Sequence, residues 1–506
     1  MTDDILSFNW HRVIIIDKNL LKDNFPNISI IILMRLLNNF KMKFLKDMNI
    51  SSLKIPAEYY SQLHEFVNIF HNHGFECCLI GGCVRDLILG YEVYDYDFAT
   101  NARPEQIMKL FRKVIPTGIK HGTVTVLFNS LKLEVTTFRS DGKYIDGRRP
   151  ENVDYADTLN KDVMRRDFTI NGLAYDILKD EVIDYAGGID DLNRGIIRTI
   201  GNPIDRFNED GLRTFRACRI AAKLGFSIEQ NTFDAIKDTI NIASMVSAER
   251  VRDELMKLLS AGLPSIGFEY MRKTGLLKLW FPELDDCYGI DQNKYHTHDI
   301  YYHSLYSCDA APADKPLIRL VALLHDIGKV NTKRIGDNGD YTFYNHEIVG
   351  ARIVNKIMKR LKFSNTEIET VNNLIINHMF HYTDDWSDGA VRRFMRKVGV
   401  ENIPDLFLLR EADRQGNGSR NGIPGPVIKL QNRIDKIIEA ENAITVKDLK
   451  INGIILMDRF SLKPGPIIGK ILQELLEIVL DLPEMNEEGI LIEKSAEIYN
   501  NLKNQY

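Results

Sequence analysis

The sequence predicts an α+β fold: a head built on a mixed sheet, followed by an all-helical neck, body and tail. Three observations carry this. Between residues 56 and 190, short apolar runs alternate with helical spacings and glycine turns. After about Asn193 the strand signals fade. Helical periods then dominate, over Asp210–Leu224, Ala248–Leu259, Leu317–Leu324, Ala351–Leu361 and Ile467–Leu480. The chain also has 506 residues, 44% of them hydrophobic, enough for about three to five domains at roughly 100–200 residues each.

Taken in order, residues 1–50 match no later pattern, contain start-like methionines at Met34, Met42 and Met48, and receive no function. Tyr59–Gly74 reads as a helix with Leu63, Phe66, Val67 and Phe70 on one face and Gly74 as its stop. The run CCLIGG reads as a strand and VRDLILG as a short helix closed by Gly90. YDYDFA reads as a second strand and residues 104–113 as a helix. GTVTVLF and LKLEVTTF alternate around Asn129–Ser130, the pattern of a hairpin.

Composition narrows the class. Lys and Arg total 65 against 70 Asp and Glu, a formal charge of −5, which excludes a globally basic nucleic-acid binder. It leaves room for a clustered basic surface. The six cysteines are scattered without a C-x-x-C pair, which predicts buried thiols in a reducing compartment rather than a zinc knuckle or a disulfide framework. The apolar run Ile30–Met34 falls far short of the ~20 residues of a membrane helix, and MTDDILSF lacks a basic leader. A cytoplasmic protein with no membrane partner is expected.

Three features of the head point to phosphate and metal chemistry. Gly81-Gly82 sits between a strand and a helix, where the backbone can approach a phosphate closely and Arg85, one turn on, could pair with a triphosphate. Asp95 and Asp97 lie at i and i+2, so on a strand their carboxylates share a face. Like charges so placed are tolerated around a divalent cation such as Mg²⁺, although an isolated pair also fits a solvated edge strand. Glu134, opposite in facing to Leu133 and Val135, is a candidate third acid, or a plain exposed strand residue.

Together, GG-x-x-RD and the following D-x-D resemble the polymerase-beta-type nucleotidyltransferases. Arg165-Arg166-Asp167-Phe168-Thr169-Ile170-Asn171-Gly172 narrows this to the class II tRNA nucleotidyltransferase and bacterial poly(A) polymerase family, with Gly172 where alanine is usual. The resemblance implies Asp95, Asp97 and Glu134 as catalytic acids, with Mg²⁺ on Asp95 and Asp97. It implies nucleotide contacts from Gly81, Gly82, Arg85, Arg166, Asp167 and Asn171.

A second cluster concerns base choice. Asp210, Arg213 and Arg216 recur every three residues, opposite an apolar face of Leu212, Phe215 and Ile220. A carboxylate accepts hydrogen bonds and a guanidinium donates them. Cytosine and adenine both present an amine beside a ring-nitrogen acceptor, which such a pair matches; uracil and guanine present the reverse. Glu209-Asp210-x-x-Arg213 resembles the E-D-x-x-R motif to which the family assigns this selection, and Arg216 and Arg219 resemble its further nucleotide-binding arginines. The glycine-rich segment Arg139–Pro150 reads as a mobile loop and resembles one present in CCA-adding members of the family. Ser247–Leu255 resembles a helix that packs the neck, a structural role.

Further on, His303, His325-Asp326 and Asp413 resemble the ligand pattern of an HD phosphohydrolase domain, with His346, His378 and His381 nearby in sequence. Imidazole and carboxylate together suit a divalent transition metal, and His346 and His378 could support a second one. Leu462–Lys470 contains a Pro-Gly-Pro turn before a helix, either a grip on RNA phosphate or a tight interhelical turn.

The expected organisation is an extension (1–50), a catalytic head (51–195), a helical neck that selects nucleotide and binds RNA (196–290), an HD-type metal-binding domain (291–440) and a helical tail (441–506). The implied activity is untemplated addition of C, C and A to the tRNA 3′ end from CTP and ATP, releasing pyrophosphate. A poly(A) polymerase or A-adding enzyme is the nearest rival, and a protein-modifying nucleotidyltransferase fused to a hydrolase a more distant one.

Overall fold

The computed structural model describes residues 53, 55–140, 154–293, 297–337, 339–418, 425–440 and 445–503, together with the backbone of 144–145 and 149–150. The expectations for residues 1–50 and for most of the 139–150 loop therefore lie outside the described residues. The chain divides into two compact units after Pro282.

The first unit is built on a seven-stranded sheet. Its strands are β1 (Cys77–Ile80), β2 (Asp97–Thr100), β3 (Val114–Gly118), β4 (Thr123–Phe128), β5 (Leu131–Thr137), β6 (Leu173–Asp176) and β7 (Glu181–Asp184). They run in the order β3-β4-β5-β2-β1-β6-β7. Only the β2–β5 pair is parallel, so the sheet is mixed. β4 and β5 form the hairpin expected around Asn129, whose φ of 51° supplies the left-handed turn. The second strand is shorter than YDYDFA suggested: pairing begins at Asp97, and Asp95 lies on the approach to it.

Helix α1 (Ala57–Asn72) buries Leu63, Phe66, Val67 and Phe70, the apolar face read from its spacing. Phe66 packs against Phe98 of β2, Phe111 and Phe128 of β4, at ring separations of 5.0, 4.8 and 5.3 Å. This aromatic core anchors the face of the sheet that backs the acidic strand. Among the described residues no helix is long and apolar enough to cross a membrane. All six cysteines are buried and unbridged.

The remainder of the first unit is helical. Helices α2 (Gly82–Ile88), α3 (Leu212–Leu224) and α4 (Ala248–Leu259) carry groups used below. Strand does not vanish after the head, however. Ile196–Ile197 pairs with Ser227–Ile228, and in the second unit Arg334–Ile335 pairs with Tyr341–Thr342. Two-residue ladders are too short to show an alternation, so sequence spacing cannot reveal them.

In the second unit, α5 (Ile300–Ala310), α6 (Pro316–Leu324), α7 (His346–Arg360), α8 (Asn365–Asn377) and α9 (Ile403–Gly416) pack as a helical body. α10 (Pro466–Asp481) begins on the second proline of the Pro-Gly-Pro turn and buries Ile471, Leu475, Val479 and Leu480 in a separate tail core.

Candidate functional site

The head site begins at the end of β1. Gly81 adopts φ 86° and ψ −138°, a backbone that side-chain-bearing residues rarely take, and its N–H donates to Leu173 O at 2.9 Å. A Cβ there would also stand 3.2 Å from Arg166 Nη1. The conformation is what requires glycine here, and the guanidinium of Arg166 leaves little room beside it.

The β2–β5 register places Asp97 directly beside Glu134. Asp95, Asp97 and Glu134 are exposed, while Tyr96, Leu133 and Val135 between them are buried. Asp97 keeps contact with solvent, yet its carboxyl stands among enough protein to be partly desolvated. This desolvation, with the neighbouring charges of Glu134 and Asp95, raises its pKa to about 6, against an opposing pull from Arg166. Such a group gains from a cation between the acids, so the three carboxylates could hold a divalent metal through hard oxygen ligands.

The arginine-rich signature works largely as an internal frame. Asp162, fully buried, binds Arg165 and Arg166, at 2.5 and 3.0 Å. Asp167 accepts from Phe168 N and Asn171 Nδ2 through Oδ1, and from Arg216 Nε and Nη2 through Oδ2, at 2.7 and 2.6 Å. Burial opposes its charge, but Arg216 and Asn171 prevail and hold it well below the usual carboxylate range. Asn171 Oδ1 in turn accepts from Arg85 Nη1.

Arg85, expected at the triphosphate, is only 5% exposed; it is turned inward and also binds Asp86 at 2.7 Å. It braces the Gly81-Gly82 turn. Gly172 also gains a reason: a Cβ there would meet Ile200 Cδ1 at 3.0 Å and Val163 Cγ1 at 3.2 Å, so this interior has closed around glycine.

The two members of the expected base-reading pair have separate anchors. α3 starts at Leu212, so Asp210 lies just before it, and Gly211 lets the chain pass Ile242 O, which a Cβ would meet at 2.6 Å. Leu212, Phe215 and Ile220 are buried as the apolar face. Asp210 does not pair with Arg213. It binds Arg250 of α4 through two hydrogen bonds, at 3.1 and 2.7 Å. Arg213 donates to Glu209, Arg206 O and Arg165 O. Arg219 binds Glu254 of α4 at 2.5 Å, and Lys223 binds Asp86 at 2.8 Å. The brackets from Arg250, Glu254, Asp162 and Lys223 were not assigned from sequence. The partners of Arg250, Glu254 and Lys223 are far away in the chain and only the fold joins them, whereas Asp162 reaches arginines three and four residues on, a spacing the sequence does show.

The second unit gathers another cluster. His303 Nε2 lies 3.3 Å from His325 Nε2, 3.3 Å from Asp326 Oδ2 and 3.3 Å from Asp413 Oδ1. On the other side of Asp326, His346 Nε2 lies 3.2 Å from Oδ1 and 3.3 Å from His378 Nε2. Two groups of atoms that could hold a metal therefore share Asp326, one on each oxygen. The Nδ1 atoms of His325, His346 and His378 lie 2.8, 2.8 and 2.6 Å from the carbonyls of Ala322, Phe343 and Ile375. In the neutral ring, donation there leaves Nε2 with its lone pair toward the cluster, the form a metal would bind.

Burial opposes a charge on His325, but Asp326 and Asp413 override it and raise its pKa to about 10. Both carboxylates are held well below their usual range despite burial, Asp326 chiefly by His325 and Asp413 by His303 and His325. Lys329, 6% exposed, binds Asp326 Oδ2 at 2.6 Å and Gln292 at 2.7 Å. A cleft of about 400 Å³ opens onto this cluster, lined by Arg410, Arg414, Tyr341 and Tyr344 among others. His381 lies exposed and joins neither group.

The geometry of the first unit, with a glycine turn and paired acids on a mixed sheet, is that of a nucleotidyltransferase. The poly A polymerase head domain matches residues 77–198, the "Probable RNA and SrmB- binding site of polymerase A" matches 225–288, and tRNA nucleotidyltransferase domain 2 matches 345–494. The CCA-adding enzyme of Ligilactobacillus salivarius is 32% identical over 445 residues, spanning 88% of this chain and 98% of its own. That of Limosilactobacillus reuteri is 32% identical over 434 residues, 84% and 93% of the two chains. The chain belongs to the CCA-adding enzyme family.

Among solved structures, the Bacillus stearothermophilus CCA-adding enzyme in complex with CTP matches with a TM-score of 0.67 and 25% identity, over 89% of this chain and 100% of that one. The Thermotoga maritima enzyme complexed with tRNA shares the fold, with a TM-score of 0.51 and 21% identity over 90% and 98%.

Proposed function

We propose that this enzyme adds C, C and A to the 3′ end of tRNA, taking CTP and ATP and releasing pyrophosphate. The observation that carries the reading is the hydrogen-bonded chain Arg216–Asp167–Asn171–Arg85, which ties the helix bearing the base-selecting motif to the glycine turn beside the acids. Relatives named as CCA-adding enzymes, matched over nearly their whole length, and a neighbour solved with CTP support the same assignment.

In this reading Asp95 and Asp97, with Glu134 beside them, hold Mg²⁺. The metal supplies charge neutralisation for the attacking 3′-hydroxyl and the leaving pyrophosphate. The Gly81-Gly82 turn admits the triphosphate to close backbone approach. Arg166, still partly exposed, offers a positive charge beside it. Asp210 accepts from the exocyclic amine of C or A, and Arg213 donates to the ring nitrogen. Arg85, Asp167 and Asn171 act as positioning residues rather than as direct nucleotide ligands. The tRNA is held by shape and backbone contacts.

The test is extension of tRNA lacking CCA, resolved to single nucleotides. CTP alone should give two additions, and CTP with ATP should give three and a stop. Long adenosine tails would mark a poly(A) polymerase. Addition only to tRNA ending in CC would mark an A-adding enzyme.

The His303–Asp413 cluster favours a second reading, a metal-dependent phosphohydrolase in the second unit. Its specific support is Asp326, whose two oxygens serve two histidine groups, a donor set that suits divalent transition metals. Purified protein should bind up to two such ions per chain and hydrolyse a chromogenic phosphoester with Mn²⁺ or Ni²⁺. A chain that binds none under these conditions would remove this reading and leave the first intact.

A further inference from the structure

The contacts of Asp210 leave very little of it available to a nucleotide. Oδ1 accepts from Leu212 N at 3.0 Å and from Arg250 Nη1 at 3.1 Å, while Oδ2 accepts from Arg250 Nη2 at 2.7 Å. A carboxylate oxygen has about two acceptor sites, so Oδ1 is filled and Oδ2 keeps one. Arg250 is also part of a larger bracket. Four residues on, one turn along the same helix, Glu254 is 5% exposed and binds Arg219 at 2.5 Å and Arg216 at 3.7 Å. α4 thus holds the acceptor of the reading pair at one turn and two arginines of the reading helix at the next.

We propose that Arg250 is a specificity-positioning residue. Its fork fixes the plane of Asp210, so that a single oxygen site, on Oδ2, faces the base. The inference rests on the reading of Asp210 as the acceptor for the exocyclic amine. A planar, two-point grip holds a carboxylate in one orientation where a single contact would let it turn. Held in this way, Asp210 can only accept, and a uracil or guanine carbonyl brought to the same place meets a lone pair with no donor. Without Arg250 the carboxylate rotates and admits water. A bridging water can donate to a carbonyl, and the wrong bases are then tolerated. The packing role that the sequence suggested for Ser247–Leu255 thereby gains a second task, in the fidelity of nucleotide choice.

The experiment compares wild type, R250A, R250K and D210A in the full-length enzyme, each first shown to be folded by its thermal unfolding. The readout is kcat/KM for CTP against UTP on tRNA lacking CCA, and for ATP against GTP on tRNA ending in CC. R250A should lower both correct-to-wrong ratios by roughly tenfold or more, the scale on which an unpaired polar group is tolerated or rejected. R250K, which keeps the charge but loses the planar fork, should fall between R250A and wild type. A uniform loss of kcat/KM for all four nucleotides in R250A, with the ratios intact, would assign Arg250 to packing alone and overturn the proposal. D210A separates the two levels. If it relaxes selection and R250A does not, only the proposal fails. If D210A leaves selection intact, Asp210 is not the reader, and both fail.

Discussion

The two units gather charged ligands in opposite ways. In the head, three carboxylates stand exposed at the central β2–β5 pair of the sheet, with Asp97 partly desolvated, and repel one another. In the second unit, four histidines and two aspartates converge; all but Asp413 are nearly fully buried, and three of the imidazoles lie against backbone carbonyls. The first arrangement suits a hard cation that arrives with a triphosphate and leaves with pyrophosphate. The second suits a resident transition metal bound by nitrogen and oxygen. The two candidate sites thus differ in the burial of their ligands as well as in their chemical type.

The largest effect should come from the head. D97A should reduce nucleotide addition by roughly a thousandfold or more, ~4 kcal/mol of barrier, measured as initial rates with Mg²⁺. D326A should leave that rate within about twofold, because the clusters belong to different units. Addition lost equally in both variants would erase the distinction.

The next effect concerns metal content. D326A, which removes the ligand common to both histidine groups, should empty the second unit of transition metal. H346A should cost about one ion per chain, as read by elemental analysis of dialysed protein. Equal retention of metal in wild type and D326A would show that the cluster is only structural.

A third effect is one of stability. The pKa of Asp97 is raised from its ordinary value to about 6 in the folded protein. The folded state therefore binds the proton more tightly than the unfolded chain. The stability this contributes is fully present below about pH 4 and is lost as pH rises through about 6. Metal-free D97N should accordingly melt higher than wild type above pH 7, and the gain should shrink toward pH 4. Calorimetry in chelator across that range measures it. A difference independent of pH would mean that folding does not raise the Asp97 pKa.

The smallest effect belongs to the outer brace between Lys223 and Asp86. K223A should lower kcat/KM for nucleotide addition by about two- to fivefold, as befits a pair that is partly exposed and worth ~1 kcal/mol or less.

Much of this was legible in the sequence because its signals are local. The β4–β5 hairpin, the apolar face of α1 and the span of α4 follow from spacing alone, and Gly81-Gly82 marks its own turn. The partners of those residues were not legible. The sequence offered Asp210 and Arg213 as joint readers of the base, but not the residue that anchors Asp210: the fold brings Arg250 from 40 positions away. Arg85 read as a triphosphate partner because it lies one turn into the helix after Gly81-Gly82, yet it is buried and bonded inward to Asn171. Motifs give residue types and local periodicity; which charge neutralises which is a property of tertiary packing.

The most direct measurement of the central claim is extension of tRNA lacking CCA by wild type, D97A and D326A side by side, with Mg²⁺, CTP and ATP, resolved to the nucleotide. Wild type and D326A should both add CCA and stop, and D97A should add nothing measurable. Extension that survives D97A and disappears in D326A would contradict the assignment of nucleotide addition to the acidic strand of the head.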